Sequence, residues 1–226
     1  MSACFHGEVT PQAQIVQLPI DRSDEIGPLP EIDGIGETRR RILVAGLELF
    51  AARGYHATSI RDIAAGAGLQ SASLYTHFAS KEAILAELMT TGYTVHNRAL
   101  LTALLGTGSD PRDQLRKLIA AHVAAHCRWS KLAAVATREL ASLSDEAAGP
   151  AMALRQSSMT LLADIIARGT EQGAFRIEHL DITLSAIGSL GTAVINWYPA
   201  KAEKYTPEQV GETYADLTLG MVGASS

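Results

Sequence analysis

Ser59 to Leu85 reads SIRDIAAGAGLQSASLYTHFASKEAIL. Ser59, with Thr58 before it, stands ahead of a short apolar-periodic run, Ile60, Ile63 and Ala64, and either hydroxyl can cap it by accepting a hydrogen bond from an orphan amide of the first helical turn. Gly66, Ala67 and Gly68 then permit a tight turn, and a second short helix is expected from Ser71 to about Phe78. Two short amphipathic helices around a glycine turn form a helix-turn-helix, whose second helix can stand in the major groove of DNA. That helix buries Leu74 and Phe78. It leaves Ser71, Ala72, Ser73, Thr76 and His77 outward, a set too small and polar to cover a core and suited to base edges at close range. Gln70, just ahead of it, is the nearest long amide and the candidate adenine reader.

Working outward, the segment from Glu37 carries Ile42, Leu43, Leu47, Leu49 and Phe50 at helical spacing and stops at Gly54. On the other side, Ser80, Lys81 and Glu82 open a long helix through Ile84, Leu85, Leu88 and Met89 toward Leu105. Beyond Pro111 the helical period returns around Leu115 to Val123, from Lys131 to Leu143 and from Asp145 to Gln172. Two last amphipathic segments, Ile182 to Trp197 and Pro207 to Met221, flank a loop containing Pro199. Aromatic residues make up only 5% of the 226 residues while hydrophobic ones make up 47%. The expectation is an all-α protein with a substantial core. Residues 1–35, with four prolines, scattered acids and no sustained period, read as a flexible arm. Residues 36–82 read as the DNA-binding domain and 83–226 as a ligand-binding and dimerisation domain.

The formal net charge of −5 argues against a surface that binds nucleic acid everywhere. Its distribution is uneven: six bases and three acids between Gly36 and Lys81 give that segment a net +3, as a DNA-binding module on an acidic body would show. Arg39, Arg40 and Arg41 at the start of the first helix suit either a solvated charge run or phosphate contacts. The two cysteines, Cys4 and Cys127, lie too far apart in pattern to suggest a disulfide framework. With no apolar run of about 20 residues and no signal-peptide profile, a cytoplasmic protein is expected. Neither a phosphate loop, a nucleophile elbow nor a zinc-hydrolase helix is present, so the chain is read as a non-enzyme.

Leu74, Tyr75, His77, Phe78 and Lys81 together form the pattern LY-x-HF-x-x-K, directly after the glycine turn, and from Thr38 to about Leu88 the chain closely resembles the DNA-binding domain of the tetracycline-repressor (TetR) family. The resemblance implies backbone contacts from Thr58 and Arg61, and hydrogen bonds to phosphates from Tyr75, His77 and Lys81. It leaves sequence preference to Ser71, Ala72, Ser73 and Thr76, through base edges and thymine methyls. Read from position alone, Tyr75 suits the edge of a core, Lys81 a solvated first turn, and Thr58 or Ser59 a helix cap.

A helix-turn-helix that reads two half-sites needs a two-fold partner. Small residues Gly188, Gly191 and Ala193 beside Leu184, Ile187, Leu190, Val194 and Ile195 make the segment 182–197 a candidate dimer face, where the family resemblance also puts it; an intramolecular core helix is the alternative. The preceding helices are rich in alanine, with Trp129, Met152, Met159 and Leu162 spaced among small residues, a composition that can leave a cavity for an apolar ligand. From Arg138 to Phe175, and on through INWYPA with Asn196 and Trp197, the chain resembles TetR-type regulators of fatty-acid and steroid catabolism. That resemblance implies an acyl-CoA thioester as one possible effector, with Arg128, Lys131, Arg138 and Arg155 as candidates for its phosphates. His122, His126 and Cys127 have a spacing that metals use. With no further ligand cluster beside them in the sequence, packing is the preferred reading, and neither metal nor cofactor is expected. The function these readings imply is a ligand-responsive homodimeric regulator, a repressor released from a palindromic operator by a small apolar ligand. A helical lipid- or metabolite-binding protein with no DNA role is the alternative.

Overall fold

The computed structural model describes residues 29–32 and 34–224, and every element among them is helical. The first helix, α1 (Glu37–Arg53), ends where Gly54 takes φ +82°, an essentially glycine-only conformation that costs a Cβ-bearing residue about 1–3 kcal/mol. The next, α2 (Ile60–Gly66), starts on a complete capping box: the Ser59 hydroxyl accepts from the Asp62 amide, and the Asp62 carboxylate accepts from the Ser59 amide. Gly68, at φ +68°, turns the chain into α3 (Ser71–Tyr75), shorter than the segment to Phe78 expected from sequence. The long α4 (Lys81–Leu104) begins at a Ser80 cap.

The remaining helices are α5 (Pro111–Arg128), α6 (Ser130–Arg138), α7 (Asp145–Glu171), α8 (Leu180–Thr192) and α9 (Pro207–Met221). The expected single helix over 182–197 stops at Thr192 and continues as two 3₁₀ turns, Ala193–Asn196 and Tyr198–Lys201. Pro199 sits in the first positions of the second turn, where its missing N–H has no helical acceptor to lose.

Two apolar clusters organise the chain, and their boundary is not at residue 82. One joins Ile42, Leu47, Phe50, Ile63, Leu74 and Phe78 to Leu85 and Leu88 of α4 and to Leu132, Val135 and Ala136 of α6. The other packs α5, α7, α8 and α9 around Leu115, Ile119, Ile166, Ile187 and Val210. Helix α6 therefore belongs by packing to the DNA-binding side, although it lies within the segment read as the ligand domain.

Leu29 and Pro30 fall within the stretch read as a flexible arm, yet Leu29 is 2% exposed and joins the first cluster. Arg40 donates to both of their carbonyls, at 3.0 and 2.8 Å. Residues 1–28 and 33 of that arm lie outside the described residues.

Candidate nucleic-acid interface and ligand cavity

The outer face of α3 carries Ala72, Ser73, Tyr75 and Thr76, all exposed, beside exposed Gln70 and half-buried Ser71 and His77. Leu74 and Phe78 anchor the opposite face in the core. The Thr76 hydroxyl donates to the Ser73 carbonyl at 2.7 Å, leaving its methyl and a lone pair for an outside partner. Arg61 is exposed on α2, and the Ser59 side chain, also exposed, is occupied by its cap.

Several cations and one hydroxyl read as DNA contacts are held within the protein. Thr58 is 2% exposed and its hydroxyl donates to the Gly54 carbonyl at 2.9 Å; it ties the end of α1 to the start of α2 and does not face outward. Arg39 pairs with Glu87, donates to the His77 carbonyl and lies 4.0 Å over the Phe78 ring. Arg41 donates to the Ala67 carbonyl inside the turn. With Arg40 bonded as described, all three arginines make internal hydrogen bonds, although Arg41 stays exposed. Together they fasten α1 to the turn, to α3 and to the chain ahead of it.

Lys81 sits 4.0 Å over the Tyr55 ring and donates to the carbonyls of Tyr55 and Thr58 at 2.7 and 2.8 Å. Burial pulls its ammonium below the usual lysine range. Two of its three donors are thus committed to the loop that launches α2. Lys81→Met is expected to lower stability by about 1–2 kcal/mol through the lost bonds, with the salt dependence of DNA binding nearly unchanged. A fall of about one unit in the salt slope without loss of stability would instead mark a direct phosphate contact.

Behind this module, α4 to α8 surround a cavity of about 850 Å³, within the range that accepts drug-sized ligands, roughly 300–1,000 Å³. Its walls are built from residues that cannot fill space, among them Gly92, Ala125, Ala133, Ala134 and Gly188, with Leu100, Ile119 and Leu162 as larger apolar members. Of the residues read as ligand contacts, Trp129, Arg138, Met159 and Asn196 line it. Met152 does not, being 40% exposed nearer the start of α7. Trp197 points elsewhere, stacking on Tyr214 with its indole N–H donating to the Tyr214 hydroxyl at 3.2 Å. Of the four basic candidates, Arg138 and Arg155 reach the wall, whereas Arg128 pairs with Glu208 and Lys131 with Glu48. Tyr93, His96 and Ser158 also line the cavity. They come from α4 and α7, and no local pattern in the sequence marks them.

Part of the expected dimer segment turns inward. Leu184, Ile187 and Ile195 face the cavity, and Gly191 is buried against His122, where a side chain would collide with the ring. Ile182 and Leu180 remain exposed at its start, and Leu217 and Met221 are exposed on α9.

A family model described as Bacterial regulatory proteins, tetR family, matches residues 42–88. A second, described as Tetracyclin repressor-like, C-terminal domain, matches residues 108–222, half of the chain. The chain belongs to the TetR family. Among its TetR relatives, the HTH-type transcriptional repressor KstR2 of Mycobacterium tuberculosis (strain H37Rv) is 29% identical over 188 residues, 82% of this chain and 93% of the relative. A TetR-family bacterial regulatory protein from Rhodococcus RHA1 superposes with a TM-score of 0.77 at 30% identity, covering 85% of this chain and 100% of that one. The ketosteroid transcriptional regulator KstR2 of Mycobacterium tuberculosis superposes with a TM-score of 0.76 at 27% identity, covering 85% and 97%. No helix among the described residues is long and apolar enough to cross a membrane.

Proposed function

We propose that this chain is a cytoplasmic transcriptional repressor that binds a palindromic operator as a homodimer and leaves it when an apolar effector fills the cavity. The observation that carries the reading is the position of α6. One side of this helix supplies cavity wall through Leu132, Ala133, Ala136 and Arg138. The same helix reaches the DNA-binding module: Arg138 donates to the Phe50 carbonyl at the end of α1 at 2.6 Å, and Lys131 pairs with Glu48. A second tie runs from α7 to α4, where the Ser144 amide donates to Glu82 at 2.8 Å. Whatever displaces α6 moves the carbonyl end of α1 and, through it, the loop before α2.

Exposed Leu180, Ile182, Leu217 and Met221 on α8 and α9 are the apolar surface a second copy would cover, setting two α3 helices about one DNA turn, roughly 34 Å, apart. An effector that prefers the displaced arrangement by about 1–3 kcal/mol weakens operator binding some 5- to 150-fold. The cavity favours an apolar body with one anionic or carbonyl end, met by Arg155, and the relative named as a ketosteroid regulator makes steroid-sized effectors the first class to test, with the acyl-CoA thioesters that the sequence resemblance implies as the second.

The test is binding of the purified chain to fragments of its own promoter across a salt series, repeated with acyl-CoA thioesters and steroid acids added. Saturable, salt-dependent binding that one effector class reverses supports the reading. Effector binding with no DNA affinity at low salt would instead assign a metabolite-binding protein. Arg138→Met is expected to keep effector binding but blunt effector-driven release at least fivefold, read as the ratio of operator affinities with and without effector.

A further inference from the structure

Three imidazoles converge on one wall of the cavity. His96 comes from α4, and His122 and His126 from successive turns of α5; one ring nitrogen of each lies within 4.8 Å of the other two. His96 Nε2 and His122 Nδ1 are 2.8 Å apart. His126 Nδ1 lies 2.8 Å from the His122 carbonyl, which can only accept, so that nitrogen carries the proton and His126 Nε2 presents a lone pair. Of the two nitrogens shared by His96 and His122, one must likewise be unprotonated. His126 Nε2 thus presents one lone pair, and the His96–His122 pair holds a second, which accepts the N–H of the neighbouring ring. Among the described residues His122 Nε2 has no hydrogen-bond partner either, an unusual state for a buried polar atom.

The surroundings suit a cation ligand set better than a packing role. Burial, reinforced by the neighbouring rings, holds His96 down to about 3 and His122 well below the usual histidine range, and burial lowers His126 too. Each shift favours the neutral imidazole, the form that coordinates metals. The carbonyl bonded to His126 Nδ1 fixes tautomer and ring orientation as outer partners of metal-bound histidines do. Tetrahedral zinc with Zn–N bonds of about 2.0–2.1 Å would hold ligand nitrogens about 3.3 Å apart, between the 2.8 Å of the close pair and the 4.8 Å that bounds the group. Cys127, which sequence spacing groups with His122 and His126, is buried in the second cluster with its thiol pushed up to about 12, and takes no part.

We propose that His96, His122 and His126 bind one divalent transition-metal ion, of the zinc class, leaving a fourth position open to the cavity for water or an effector oxygen. This goes beyond the repressor reading and does not depend on it. Three imidazoles match zinc, nickel or cobalt, and the open position would let the ion recognise a carbonyl or carboxylate that the apolar walls cannot.

The test uses the untagged full-length chain, stripped with a chelator and titrated with Zn²⁺ by calorimetry and with Co²⁺ by visible absorption. One ion per chain, a visible cobalt spectrum typical of four-coordination and a zinc-dependent rise in melting temperature are expected. His96→Gln and His126→Gln are expected to lower the affinity at least 100-fold and abolish the rise, whereas Met152→Leu, exposed on α7 away from the cavity, keeps both. Should either glutamine variant fail to fold, the single-ion stoichiometry and cobalt spectrum of the natural chain decide. Absence of stoichiometric binding by the natural chain, or binding unchanged in the His96→Gln/His126→Gln double variant, overturns the proposal. Operator binding by the stripped chain is measured alongside, so failure here leaves the DNA-binding reading to its own test.

Discussion

Ala72→Glu is expected to reduce operator affinity on the order of 100-fold or more, because a carboxylate pressed toward a phosphate-lined groove meets like charge, which costs several kcal/mol. Ala72 is exposed in the first turn of α3, where glutamate suits the helix dipole and removes no internal contact. Stability should therefore move by no more than about 0.5 kcal/mol. Fluorescence anisotropy with a promoter fragment and thermal unfolding of the same preparation check both halves. A variant that binds as well as the natural chain would remove α3 from the reading interface. Thr76→Ala is the gentler counterpart. It deletes the outward methyl and the hydroxyl bound to Ser73, and it should change base preference rather than weaken all operators equally.

Gly211→Val is expected to cost about 3 kcal/mol, since a Cβ at this position would lie 2.5 Å from the carbonyl oxygen of Ala120, and backbone cannot step aside as a side chain can. The substitution forces α9 off α5. For a chain of this size that is a fall of roughly 6–12 °C in melting temperature, and it should also disturb the outer face of α9 that carries Leu217 and Met221. Gly149→Ala makes the contrast. An added Cβ there meets nothing within 4 Å, so the helix α7 gains up to about 1 kcal/mol. If the two variants melt alike, close approach of α5 and α9 is not what Gly211 provides.

Local chemistry made some parts of this chain readable and hid others. The cap at Ser59, the turn at Gly68, the stop at Gly54 and the periodic run of α4 each depend on neighbours within a few residues. The pattern around Leu74, Tyr75, His77, Phe78 and Lys81 was legible for the same reason, and it led to the family. The side chains whose internal contacts the sequence did not show are those whose partners are distant in sequence. Arg39 meets Glu87, Arg41 meets the Ala67 carbonyl, and Lys81 meets the carbonyls of Tyr55 and Thr58. A net positive segment looks the same on paper whether its charges face a phosphate or bond a carbonyl. Likewise Met152 and Met159 have equal standing in the sequence, seven residues apart on nearly one face of α7, and only how far the cavity extends along that helix leaves one in solvent and the other at the wall.

By itself the sequence determined the helical class, the helix-turn-helix and its outward residues, and the family, because helix periods, caps and turns are written into consecutive positions. Tertiary structure decided which cations are spent internally, that α6 packs with the DNA-binding module, how large the cavity is, and that His96 joins His122 and His126. Those facts depend on which faces of helices far apart in the chain come together, and a one-dimensional period gives a helix its faces without saying what each will meet.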